Sequence, residues 1–160
     1  MQSYLEEDRH SADYNWLVQS KSPYLKKHET NPVNWLEWSN EAFEKARREG
    51  KLVFISIGDT TCHLCSVMAH ELFEDEEVAK ILNKKFVSIK VDREERPDIN
   101  NIYIRACQIN TDYIDCPLSV FLTSEKQPLY VGTYIPKLSR NGITGFIDVI
   151  TKLYDKYTIG

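Results

Sequence analysis

Two cysteines separated by two residues, in the segment Cys62-His63-Leu64-Cys65, are the residues of this chain best suited to do chemistry. On a helix that begins at Cys62, the side chain three positions later returns to the same side, so the two sulfurs come within bridging distance. Unsatisfied N–H groups at the helix N-terminus favour the thiolate of Cys62, and a protonated His63 adds to this effect. The spacing predicts thiol–disulfide exchange, with Cys62 as the exposed nucleophile and Cys65, one turn deeper, as the resolving thiol.

Two other interpretations of the cysteines stay open. One is a zinc site, whose ligands would come from the four cysteines and from two of the four histidines: Cys62, Cys65, Cys107, Cys116, His63 and His70. The other is that the cysteines are small buried hydrophobic residues, as we expect for Cys107 on its apolar helix. The spacing of the second cysteine pair is unlike that of a zinc ribbon, and a C-x-x-C between a buried strand and a helix is typical of redox sites. We therefore favour the redox interpretation and expect neither a metal nor a cofactor.

The elements around this segment follow an α/β pattern. Apolar runs predict buried strands over residues 52–57 and 86–91, and residues 118–123 and 129–133 read as an antiparallel hairpin. Helices are predicted from Ser39 to Glu49, from beside Cys62, from Asp75, from Pro97 and over Ile143 to Tyr154. This order fits the thioredoxin fold, a central mixed sheet with helices on both faces, here with an irregular N-terminal extension.

The hairpin begins directly after Cys116 and Pro117. A thioredoxin fold places a cis-proline at the position of Pro117, facing the dithiol, and the residue before that proline lines the substrate groove. Cys116 is therefore expected beside Cys62, where it either reacts with the dithiol as a third sulfur or merely fills space.

Composition limits the class of protein. At 160 residues the chain fits one domain, which we assign to residues 21–160 behind a loosely ordered N-terminal arm of residues 1–20. The net charge of -4 includes no basic stripe, and no apolar run is long enough to span a bilayer, so we expect neither nucleic acid nor membrane as a partner. The segment from Met1 to His10 lacks the apolar core of a signal peptide, which predicts a cytoplasmic location.

Many short segments resemble the spermatogenesis-associated, thioredoxin-like protein family. The segments that carry the resemblance are Ser22-Pro23-Tyr24-Leu25, Asn31-Pro32-Val33, Ser56-Ile57-Gly58, Cys62-His63, Phe73-Glu74-Asp75-Glu76-Glu77-Val78-Ala79, Pro117-Leu118-Ser119-Val120-Phe121-Leu122-Thr123 and, most specific, Phe86 to Ile99. The resemblance implies a thioredoxin-like domain with Cys62 and Cys65 as its dithiol. Many members of that family continue into a large helical barrel.

The chain departs from the patterns it resembles at several positions. Leu64 and Ser66 stand where the family commonly has Trp and His, and Ile114-Asp115-Cys116 replaces its Gly-Gly-Trp. Ordinary thioredoxins hold a buried Asp six residues before the first cysteine, where this chain has Ser56. A serine does not accept a proton at neutral pH, so the proton of the resolving thiol must pass to water, to His63 or to another group.

Two classes of function remain for such a domain. It is either an enzyme that reduces or isomerises protein disulfides, or a redox-sensing or docking module of a larger protein that cycles without turnover. In both cases the expected partners are protein thiols or disulfides, with a reductase or a small thiol as the electron donor.

Overall fold

The structure, a computed structural model, describes residues 6–108 and 116–158. Its helices are α1 (Pro23–Lys26), α2 (Asn40–Glu49), α3 (His63–Met68), α4 (Glu76–Lys85), α5 (Pro97–Gln108) and α6 (Phe146–Thr158). Its strands are β1 (Leu52–Gly58), β2 (Phe86–Asp92), β3 (Leu118–Leu122) and β4 (Pro128–Gly132). A 3₁₀ turn covers Trp16–Gln19, and a π-helical turn, Ala69–Phe73, follows α3 directly.

The four strands form one mixed sheet in the order β2-β1-β3-β4. β1 pairs with β2 in parallel and with β3 antiparallel, and β3 and β4 form the expected antiparallel hairpin. Beyond β2, Leu36 adds a single parallel bridge to Ile89. The α/β thioredoxin fold predicted from the order of elements is confirmed.

Alternating side chains of the strands supply two cores, one on each face of the sheet. Phe54 and Phe121 belong to the first core, in which Trp35, Phe73 and Phe146 are also buried. The second core contains the strand residues of the opposite face, and α2 and α5 cover it; these residues are Val53, Ile55, Ile57, Val87, Ile89, Val91, Leu118, Val120 and Leu122. Each residue of β1 is buried because both faces are covered, which explains its continuous apolar sequence.

Local signals in the sequence fix the ends of the helices that surround the site. The side chains of Ser39 and Asp75 cap α2 and α4 by accepting backbone N–H bonds. Gly50 ends α2 with φ at 68°, a conformation in which glycine carries no steric penalty. Because α2 ends at Gly50, β1 begins two residues later, at Leu52.

Two details differ from the sequence-based expectation. The last helix begins at Phe146, because Ile143 instead forms a bridge with Arg140 and is 56% exposed. The loose arm expected for residues 1–20 does not include Trp16 and Leu17, which are both fully buried. The side chains of Trp16 and Leu17 pack into the two cores beside the sheet, and this packing orders the segment around them. The division of the chain at residue 20 stays a prediction.

Candidate redox site

The site lies where the start of α3 meets the loop before β3. Cys62 and Cys116 form a disulfide there, with their Cα atoms 6.1 Å apart. The peptide bond between Cys116 and Pro117 is cis, as the thioredoxin arrangement predicts. Chain topology therefore brings together two cysteines that are 54 positions apart.

Cys65 completes a cluster of three sulfurs. It is free and buried, and the sulfur atoms of Cys62, Cys65 and Cys116 all lie within 4.8 Å of one another. Cys62 caps α3, and its Sγ accepts a hydrogen bond of 3.2 Å from the backbone N–H of Cys65. The expectation that Cys62 is exposed is wrong for this disulfide form, because Cys62 is 3% exposed and Cys65 is 6% exposed. The bond to Cys116 covers the sulfur of Cys62.

The turn between β1 and α3 is held in place by a partner that is distant in sequence. Asp59 accepts hydrogen bonds from the Thr61 backbone and hydroxyl and pairs with Arg93 at 2.5 Å. Burial raises the pKa of Asp59, but the hydrogen bonds from Arg93 and Thr61 outweigh it and leave the pKa below its ordinary value. Arg93, which directly follows β2, thus helps to position the turn before the dithiol.

Close packing surrounds the Cys65 thiol. A Cβ atom at Gly58 would overlap Cys65 Sγ and lie 2.8 Å from the Tyr24 hydroxyl oxygen, so the strand backbone passes directly against both groups. Burial raises the pKa of the Cys65 thiol, and a hydrogen bond from the Asp59 backbone and the charge of Lys90 offset part of that rise. The thiol is thereby kept protonated more readily than an exposed cysteine.

Sequence reasoning missed Lys90, the buried cation on this side of the sheet. Lys90 lies on β2 directly opposite Ser56 on β1, and its Nζ donates a 3.2 Å hydrogen bond to the Ser56 hydroxyl. The residue is 2% exposed. The sequence does show a lysine inside an apolar strand. Because charged residues are almost never fully buried unless they are paired, such a lysine indicates a specific partner in the fold.

A cleft of about 460 Å³ opens over Cys65 on the side of α1. Tyr24, His28, Asn31 and Asp59 contribute to its wall. His28 shares a hydrogen bond with the Asn31 side chain, and burial, followed by the charge of Lys90, lowers the pKa of His28 to about 3. The cleft wall next to the thiol therefore carries a neutral imidazole at physiological pH.

The histidines proposed as zinc ligands lie apart from the sulfur cluster. His63 is exposed at the start of α3, and His70 pairs with Glu74 at 2.8 Å on the π-helical turn. Within the part of the chain that the structure describes, the three-cysteine cluster is the group whose ligand atoms could converge on a metal ion. The side chain of Cys107, and Ile114 and Asp115, lie outside the described residues.

The chain is similar in sequence to known proteins over most of its length. Residues 14–159 match the family model Thioredox_DsbH, described as "Protein of unknown function, DUF255". An uncharacterized protein of Caenorhabditis elegans is 45% identical over 143 residues, covering 89% of this chain and 20% of that protein. Spermatogenesis-associated protein 20 of Homo sapiens is 43% identical over 145 residues, covering 89% of this chain and 18% of that protein. The chain thus spans about a fifth of the length of these relatives.

Solved structures share the fold at low sequence identity. A thioredoxin from Thermus thermophilus aligns with a TM-score of 0.58 at 18% identity, covering 76% of this chain and 87% of that one. A structure titled "DsbH Oxidoreductase" aligns with a TM-score of 0.56 at 16% identity, covering 78% of this chain and 85% of that one.

Among the described residues, the helices all fall short of the length and apolar character that a membrane crossing demands.

Proposed function

Because the chain belongs to the Thioredox_DsbH family, we propose that it is a thiol–disulfide oxidoreductase domain that acts on protein thiols or disulfides through Cys62 and Cys65. The observation that carries this proposal is the free Cys65 thiol beside a disulfide of Cys62, at the start of a helix in a thioredoxin fold. Three sulfurs in one cluster allow a disulfide to move between them without a large change in the backbone.

In the reduced form, Cys62 is the attacking group. The backbone N–H of Cys65 donates to Cys62 Sγ, and this hydrogen bond favours the thiolate over the thiol. His63, exposed next to it, adds positive charge when protonated. The thiolate attacks one sulfur of a substrate disulfide, forms a mixed disulfide, and releases the other substrate sulfur as a thiolate.

Cys65 then resolves the mixed disulfide. Its thiolate attacks Cys62 Sγ, a Cys62–Cys65 disulfide forms, and the second substrate sulfur leaves as a thiolate that takes up a proton. Both electrons of the protein dithiol have passed to the substrate at this point. A reductase or a small thiol returns the domain to its reduced form.

Cys116 offers a second resolving sulfur at the same Cys62 atom. The Cys62–Cys116 disulfide is the product of that route, and Cys65 can attack it to give Cys62–Cys65 and a free Cys116 thiol. Cys116 thus acts as an internal competitor of Cys65 for the Cys62 sulfur.

Turnover on a protein disulfide tests the proposal. The reduction of insulin by dithiothreitol should accelerate when the protein is added, and Cys62→Ser should return the rate to that of dithiothreitol alone. Cys107→Ala is the matched control, because it removes the cysteine to which the proposed mechanism assigns no step and should keep the acceleration. A wild-type protein that does not accelerate the reaction would contradict the enzymatic proposal.

One observation favours a redox-sensing module as the second candidate. Cys62 is 3% exposed in the disulfide form, so a partner can reach its sulfur only after the disulfide opens. A sensor of this kind would form and break the Cys62–Cys116 bond as the redox poise changes, yet leave insulin reduction at the background rate. A cytoplasmic location stays a prediction for either candidate.

We expect no stoichiometric zinc in the purified protein. Structural zinc sites use four ligands, whereas the cluster provides three sulfurs, two of which are joined in the disulfide. Bound metal would hold the thiolates and block exchange. Elemental analysis that finds about one zinc per chain, lost in Cys62→Ser, would overturn the redox proposal.

A further inference from the structure

Lys90 is a buried cation that the exchange steps above do not use. It is 2% exposed, and its Nζ lies 4.7 Å from the ring centroid of Phe73, 4.9 Å from that of Trp35 and 5.4 Å from that of Tyr24. Between residues 6–108 and 116–158, its hydrogen-bond partner is the hydroxyl of Ser56, and no carboxylate pairs with it. An ammonium group held in this way loses most of its hydration, which favours the neutral amine.

The place of this amine in the fold is informative. Ser56 lies six residues before Cys62, where ordinary thioredoxins hold a buried acid that serves the resolving cysteine. A hydroxyl cannot take over that task at neutral pH, but it accepts a hydrogen bond from Lys90. The position of the missing carboxylate is therefore occupied by Ser56, and the titratable amine of Lys90 on the neighbouring strand is hydrogen-bonded to it.

Lys90 and Cys65 act on each other electrostatically. The charge of Lys90 lowers the pKa of the Cys65 thiol, after the larger opposing effect of burial, and Cys65 in turn raises the pKa of Lys90. Tyr24 contacts both groups, with its ring near the amine and its hydroxyl beside the thiol at Gly58. The amine and the thiol thus share one buried compartment on the same face of the sheet.

We propose that the neutral amine of Lys90 accepts the proton of Cys65 when that thiol resolves a disulfide at Cys62. The Cys65 thiol and the Lys90 amine become a thiolate and an ammonium. The thiolate then attacks Cys62 Sγ and displaces the other sulfur as a thiolate, and the ammonium gives its proton to that thiolate or to water and returns to an amine. The inference rests on the proposed exchange function and names the proton acceptor that it lacks.

The directions in which burial shifts the pKa values of Lys90 and its neighbours support the role of Lys90 as proton acceptor. Burial lowers the pKa of Lys90 from 10.5 to about 7, while burial raises the pKa of Cys65, so a neutral amine and a protonated thiol coexist near neutral pH. Proton transfer is most effective when the pKa of the acceptor lies near the working pH. Of the groups that face Lys90 from α1 and the turn after it, Tyr24 has a pKa raised well above 10.0 and His28 has a pKa lowered to about 3, both through burial first, so both stay neutral.

Two carboxylates whose charges act on Tyr24 have partners other than the amine. Asp59 pairs with Arg93, and Asp92 accepts a 2.7 Å hydrogen bond from the Ser22 hydroxyl. Neither carboxylate pairs with the amine, so Lys90 and Cys65 form the proposed proton-exchanging pair.

A single-turnover experiment isolates the proton-transfer step. In the full chain carrying Cys107→Ala and Cys116→Ala, an aromatic disulfide such as 5,5′-dithiobis(2-nitrobenzoate) forms a mixed disulfide at Cys62, and attack by Cys65 releases a coloured thiolate. Lys90→Met, which keeps the length of the side chain, should slow this release by roughly 10²-fold at pH 7, the low end for loss of a general base. Formation of the mixed disulfide at Cys62 should keep its rate.

The pH profile separates proton transfer from structural damage. In the parent, the release rate should rise up to about pH 7 and then level off, following the pKa of Lys90. In Lys90→Met it should keep rising about tenfold per pH unit up to the pKa of the Cys65 thiol. Ser56→Ala keeps the amine but removes its hydrogen-bond acceptor, and should move the parental midpoint to lower pH.

Each outcome is decisive. Equal release rates and equal pH profiles for the parent and Lys90→Met would overturn the role of Lys90 and leave the exchange function standing. Ser56→Ala with an unshifted midpoint would overturn it as well, without relying on the lysine variant. A parent that forms no mixed disulfide at Cys62 would instead contradict the exchange function itself.

Discussion

The disulfide between Cys62 and Cys116 should stabilise the fold by a predictable amount. It links positions separated by 54 residues, and closing a loop of that length in the unfolded chain lowers its entropy by an amount worth about 4 kcal/mol at 25 °C. Reducing this bond should therefore lower the free energy of unfolding by up to about 4 kcal/mol. A disulfide between Cys62 and Cys65 closes a far shorter loop and is worth less than about 2 kcal/mol by the same relation.

Urea unfolding followed by tryptophan fluorescence measures this difference, because Trp16 and Trp35 are fully buried in the folded state. Unfolding free energies are compared with and without dithiothreitol for the wild type and for Cys116→Ala. Dithiothreitol should destabilise the wild type by about 4 kcal/mol and Cys116→Ala by less than about 2 kcal/mol. A loss below about 2 kcal/mol in the wild type, matching that of Cys116→Ala, would refute the long-range disulfide.

Three further changes have defined outcomes in the same urea assay. Gly58→Ala should cost about 1–3 kcal/mol, because its Cβ would overlap Cys65 Sγ; wild-type stability in this variant would contradict the close packing. Asp59→Asn should lose stability above about pH 4, and the difference from wild type should shrink at lower pH, because the paired carboxylate has a pKa below its ordinary value; a difference independent of pH would contradict its pairing with Arg93. Relative to Lys90→Met, the wild type should gain up to about 1.4 kcal/mol per pH unit between about pH 7 and 10.5, since the unfolded lysine binds the extra proton there; parallel curves would show that the amine titrates normally.

The fold followed from the sequence because its signals are local. The buried run of β1, the caps at Ser39 and Asp75 and the stop at Gly50 each depend on a few neighbouring residues. The start of the last helix was predicted too early, because the apolar side chain of Ile143 fits the spacing of that helix. In the structure Ile143 forms a bridge with Arg140, and the helix begins at Phe146. The spacing of apolar residues does not predict a turn that is formed by backbone hydrogen bonds, such as those between Arg140 and Ile143.

The site was predictable in its cysteines and not in their surroundings. The C-x-x-C spacing and the proline after Cys116 are sequence patterns with a known geometry, which placed three sulfurs together. The pairing of Asp59 with Arg93 links residues 34 positions apart, so it becomes visible only in the folded chain. Lys90 escaped notice for the same reason, since its partner Ser56 is opposite it only in the folded sheet.

The identity of the sulfur that bonds to a substrate tests the central claim most directly. The chain carrying Cys65→Ser and Cys116→Ala lacks both resolving thiols, so a mixed disulfide formed with a disulfide-containing peptide should accumulate rather than turn over. Mass spectrometry of the digested adduct then identifies the modified cysteine. The proposed mechanism predicts the peptide on Cys62. A peptide bound to Cys107, with Cys62 recovered as a free thiol, would contradict it.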